Sequence, residues 1–150
     1  MKKASTVLIL LSCLIACEDN TARFREEISN SLTGTWMLEE YGYSPGSGYI
    51  TRSVPAIPVQ IISFSANLTM SSNKEGLVNY KFYRVLNDAV NGLEVIAFFE
   101  ENPGIGPIDI SSLTHSYVVA REGNRMRLTF RWCFEGCHLG LRKISDEDTR

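Results

Sequence analysis

The sequence predicts an all-β protein, an antiparallel up-and-down barrel of about eight strands. Three observations carry this. From Thr33 onward the chain breaks into short β-like runs separated by turn-forming residues. One run, 125–132, alternates strictly, with Met126, Leu128, Phe130 and Trp132 on one face and Arg125, Arg127, Thr129 and Arg131 on the other. That pattern belongs to a sheet with one dry and one wet face. Finally, no segment shows a strong helical period or a strand–helix rhythm. An open sheet of this length would expose two edges, and closure removes them. A two-layer β-sandwich is the alternative that strand count leaves open.

Taken in order, strands are expected at 35–43, 59–65, 68–71, 78–86, 93–100, 115–121, 125–132 and 138–144. Ala66-Asn67, Asn91-Gly92 and Glu122-Gly123-Asn124 supply tight turns, because these residues tolerate positive φ. Segments 44–58 and 102–112 hold clustered Gly and Pro and read as loops. The 93–99 run is unusual. Val95, Ala97 and Phe99 are apolar, and so are Ile96 and Phe98 between them, so a loop, the N-terminal tether or a partner must cover its second face.

Before this domain lies a different texture. Lys2 and Lys3 precede an apolar run from Val7 to Ala16, too short to span a bilayer, and Leu14-Ile15-Ala16-Cys17 closes it. This resembles the lipobox of bacterial lipoproteins, with Cys17 as the lipidated residue. The expected organisation is a signal peptide over 1–16, a lipidated cysteine and polar tether over 17–31, the barrel over 32–145 and a polar tail over 146–150. Acyl chains on Cys17, palmitate among them, would anchor the exported protein in the cell envelope, with the outer membrane as the expected site. Glu18-Asp19 loosely resembles the acidic surface-export signals of Bacteroidota lipoproteins.

With Lys2 and Lys3 cleaved off, the chain is net acidic, since 17 acidic residues already outnumber 15 basic ones in the whole sequence. Electrostatic capture of nucleic acid is therefore not expected. Of four cysteines, Cys13 leaves with the signal and Cys17 is acylated. Cys133 and Cys137 remain, and an isolated pair in an oxidising compartment is most simply a disulfide. Zinc held by these cysteines with His115 and His138 lacks a recognised four-ligand spacing, and Cys133-x3-Cys137-His138 has one residue too many for a haem-attachment motif. No metal or cofactor is expected. No nucleophile or phosphate-binding motif occurs, and the pairs Glu39-Glu40 and Glu100-Glu101 should point to opposite faces of their strands. The reading is non-enzymatic.

Leu32-Thr33-Gly34-Thr35-Trp36 at the start of the domain, and Cys133 to Cys137 before its last strand, together resemble the lipocalin-like lipoproteins of Bacteroidota. The resemblance covers about residues 32–144 and implies that Gly34 and Trp36 close one barrel end. It further implies that a basic residue of the final strand, Arg142 or Lys143, covers the indole. The second motif of lipocalins is not evident beyond Thr114-His115-Ser116-Tyr117, so their ligand binding transfers poorly. Phe64, Tyr80, Phe82, Phe99, Tyr117 and Phe130 are the candidate lining of an interior site, or, with Trp132, crowd the interior shut. Two functions are expected from this: a membrane-anchored module binding a small apolar or amphipathic molecule, or a packed barrel serving interactions through its loops or its Ile96/Phe98 face.

Overall fold

The computed structural model describes residues 31–134 and 136–146. The expected signal peptide, Cys17, all of the tether before Ser31 and the tail after Asp146 lie outside the described residues. Nine strands follow one another: β1 (Gly34–Tyr43), β2 (Ile50–Ser53), β3 (Ile61–Phe64), β4 (Met70–Ser72), β5 (Phe82–Asp88), β6 (Leu93–Phe99), β7 (Ser116–Glu122), β8 (Arg125–Phe130) and β9 (His138–Ser145). All pairings are antiparallel, in the order β4-β3-β1-β9-β8-β7-β6-β5. A bridge between Thr69 and Phe82 links the outermost members. The Met70 and Tyr83 amides reinforce that seam by donating to the Lys81 and Leu68 carbonyls at 2.8 and 3.0 Å. The result is a nearly closed eight-stranded barrel.

The strand missing from the sequence reading is β2, inside the expected 44–58 loop. Its origin is a bulge. The β1–β9 register shifts between Leu38 and Glu40, leaving Glu39 as an extra residue that bends β1. The first half of β1 pairs with β3, and the second half, Glu40 to Tyr43, pairs with β2 instead. The bulge also overturns the expected opposition of Glu39 and Glu40. Both reach cations on the outer surface, Glu39 meeting Arg142 and Glu40 meeting Arg127 at 3.6 Å.

The predicted strand at 78–86 begins late, at Phe82, because 74–80 turns across the barrel end and inserts Leu77, only 3 % exposed, into the interior. The 66–68 turn places its positive φ at Leu68 rather than at Asn67, whose side chain accepts from the Thr69 amide at 3.1 Å. Gly92 and Gly123 adopt positive φ as their turns require.

Inside the barrel, Trp36, Leu38, Ile62, Phe64, Tyr83, Ile96, Phe98, Met126, Leu128 and Leu141 form one core. Each large side chain so buried contributes about 1.5–3 kcal/mol. Ile96 and Phe98 thus face inward and are no interaction surface. The covered second face of β6 is the one bearing Val95 and Ala97, both fully buried. The 102–113 segment lies across it, fastened where Arg84 donates to the Gly104 carbonyl, Arg131 to Ile110 at 2.8 Å and the Trp132 indole to Leu113 at 2.6 Å. Those contacts explain Trp132. Strand β8 ends at Phe130, so Trp132 leaves the alternation and stands half-exposed outside the barrel.

Candidate binding pocket at the open barrel end

The two barrel ends differ. At one end Trp36 is buried and its indole N–H donates to the Leu32 carbonyl at 2.7 Å, with Leu32 itself inaccessible. Gly34, at φ +115°, passes so close to the final strand that an added Cβ would lie 2.3 Å from the Ser145 carbonyl oxygen. Lys143 places its ammonium 5.6 Å from the indole ring centre. Arg142 does not cover the ring: β9 turns Leu139 and Leu141 into the core, and alternation sends Arg142 outward to Glu39. Glu94 and Arg121 add an ion pair at 2.8 Å near this end. Burial pushes the Glu94 carboxyl up, Arg121 opposes this, and among the described residues the second Glu94 oxygen has no hydrogen-bond partner. This end is closed.

The opposite end opens into a pocket of about 700 Å³. Leu38, Leu77, Tyr117, Phe130 and Leu139 give it apolar walls, and Gln60, Lys74, Glu75, His115 and His138 stand among its polar lining. Tyr117 packs between two tilted rings, 5.2 Å from Phe98 and 5.4 Å from Phe130 by ring centres. It is 9 % exposed, and among the described residues its hydroxyl has no hydrogen-bond partner. Burial, and then neighbouring Tyr80, push the Tyr117 phenol up to about 12, so it is a neutral donor at physiological pH. Lys74 is pushed down by its own burial, which the Glu75 charge opposes. Its ammonium donates to the Glu75 carbonyl at 3.0 Å, and among the described residues no carboxylate lies within ion-pair distance.

Two of the six predicted lining residues, Tyr117 and Phe130, border this pocket. Phe64 packs below it in the core, edge-on to Tyr83 at 5.0 Å. Tyr80 packs against the core and against His115 at 4.9 Å without bordering the pocket. Phe82 and Phe99 fail as lining. They pair with each other in register beside the inward pair Tyr83 and Phe98, so alternation places them on the outer face. Sequence reasoning missed Lys74, Leu77 and Leu139. Leu77 offered a signal, being the lone large apolar residue of the polar stretch 71–77, which marks a loop residue with somewhere to be buried.

Cys133 and Cys137 are joined in a disulfide with Cα atoms 5.5 Å apart, and Cys137 borders the pocket. Beside it, His138 is 3 % exposed, lying on the outer face of β9 under Tyr49. One ring nitrogen meets the Tyr49 hydroxyl and the other meets Glu40 at 3.2 Å. Gly42 and Gly140 make the room: a Cβ on Gly42 would strike the His138 ring, and one on Gly140 would strike Glu40. His138 thereby clips the 44–49 loop to the wall. Among the described residues no three His, Cys, Asp or Glu side chains converge as metal ligands, and no helix is long and apolar enough to cross a membrane.

No family model matches the chain, and neither does any curated protein or any solved structure.

Proposed function

We propose that this protein is a lipid-anchored binding module of the bacterial envelope, tethered through Cys17, whose barrel takes a small apolar or amphipathic molecule at its open end. The observation that carries the reading is the pocket itself. Its volume falls in the range of small-molecule sites, and its walls combine apolar side chains with a few polar groups. The lipocalin-like resemblance of the closed end supports the same reading, because a plugged bottom and an open top suit entry from one side.

A neutral fluorescent probe such as N-phenyl-1-naphthylamine should bind the protein with a rise in emission, and Leu139→Trp, which fills the pocket, should abolish it. Equal emission from parent and variant would refute the pocket as the site. Anchoring is tested separately: Cys17→Ala should move the exported protein out of the detergent phase, and unchanged membrane retention would refute lipidation. A second reading, a protein-interaction module, draws on Ile57, Ile105 and Phe134, which stand almost wholly exposed on loops around the open end. Co-purification of a partner lost on Phe134→Ser, with no probe binding, would favour it.

A further inference from the structure

We propose that the open-end pocket selects an amphipathic carboxylate, whose head is taken by the Lys74 ammonium and the Tyr117 hydroxyl while its apolar body lies among Leu38, Phe130 and Leu139. This inference rests on the reading of the pocket as a ligand site and adds the chemistry of the ligand.

Two independent features point to it. Lys74 stands beside the apolar walls of the pocket with one of its three donors used on a backbone carbonyl and no carboxylate within ion-pair distance among the described residues. Its remaining donors are open to an anion brought by the ligand, which would form a charge-assisted hydrogen bond there. Tyr117 is the second feature. Its ring is packed into the wall, and its hydroxyl, at the pocket lining and without a hydrogen-bond partner among the described residues, keeps its donor free for a ligand. As a neutral phenol it donates to an anionic oxygen without adding charge.

The other groups lining the pocket narrow the choice. Both His138 nitrogens are already engaged, by Tyr49 and Glu40. His115 packs at a tilt against the Tyr80 ring, and Gln60 is neutral. Glu75 is the single acidic residue in the lining; its carboxylate acts on Lys74 electrostatically but stays outside ion-pair distance of the ammonium. A monoanionic head matches one cation and one neutral donor. A doubly charged phosphomonoester would leave a negative charge uncompensated in a partly apolar site.

Three probes of equal chain length test this: dodecanoate, dodecanol and dodecyltrimethylammonium, each titrated below its micellar concentration against the full chain by displacement of the neutral fluorescent probe. Dodecanoate should bind about tenfold more tightly than dodecanol, with the cation weakest. Lys74→Gln should cost dodecanoate about that same tenfold and leave dodecanol unchanged. Tyr117→Phe should weaken dodecanoate several-fold while the fold, read by far-ultraviolet circular dichroism, stays intact. Equal binding of dodecanoate and dodecanol would overturn the carboxylate assignment and leave the pocket reading standing. Preference for the cation would make Glu75 the reader of the head group and overturn it as well. Failure of all three probes to bind would overturn both readings.

Discussion

Replacing Trp36 with alanine tests the closed end of the barrel most directly. The side chain is 1 % exposed and is the largest fully buried one in the core. Its removal costs the transfer free energy of the indole plus the cavity left behind, about 3–5 kcal/mol for a buried aromatic residue. Two further losses accompany it. The Leu32 carbonyl loses its 2.7 Å donor, at a cost of about 1 kcal/mol or more. Lys143 loses the ring beneath its ammonium, worth about 0.5–1 kcal/mol at a site of this exposure. These contributions overlap, so the expected destabilisation is about 4–5 kcal/mol, a large share of the 5–15 kcal/mol typical of a domain. Urea unfolding followed by far-ultraviolet circular dichroism measures it. Trp36→Phe should lie between parent and Trp36→Ala, because it refills most of the cavity while still losing the N–H donor. A Trp36→Ala midpoint equal to the parent's, or a loss under about 1 kcal/mol, would refute the plug. Loss of probe binding with stability intact would instead place Trp36 in a ligand site.

Lys143→Ala should destabilise more than Arg142→Ala in the same assay, since Arg142 makes an exposed ion pair with Glu39 worth about 0–1 kcal/mol. Gly34→Ala should destabilise strongly, because its φ of +115° is strained for any side chain and the Ser145 carbonyl occupies the space a Cβ needs. Alkaline pH should weaken the fold through Tyr117. With the native phenol pushed up to about 12 and an unfolded value near 10, the unfolded chain releases its proton first, so stability is full below about pH 10 and falls as pH rises toward 12. The loss should approach about 2–3 kcal/mol, and Tyr117→Phe should flatten it when urea midpoints are compared at pH 9 and pH 11.5. A parent and variant with the same alkaline slope would show that Tyr117 is not the responsible group.

The sequence by itself determined the class of the fold and much of its order. Period-two alternation in 125–130, with Met126 and Leu128 against Arg125 and Arg127, states which face of β8 is dry before any neighbour is known, because each residue carries its own preference for water. Turn residues set the hairpins for the same local reason, and Gly34 with Trp36 marked the closed end. What only the tertiary structure decided depends on register and on segments far apart in the chain. The faces Leu139/Leu141/Lys143 and Gly140/Arg142/Ile144 are equally acceptable as a pattern, and pairing with the bulged β1 selects the first for the interior. The same dependence sent Phe82 and Phe99 outward, since a shift of one residue exchanges the two faces of a strand. The pocket is the furthest from the sequence. Leu38, Leu77, Tyr117 and Leu139 are apolar or aromatic residues of four separate elements, with Lys74 among them, and their common mouth exists only because the barrel closes and brings those strand ends to one rim.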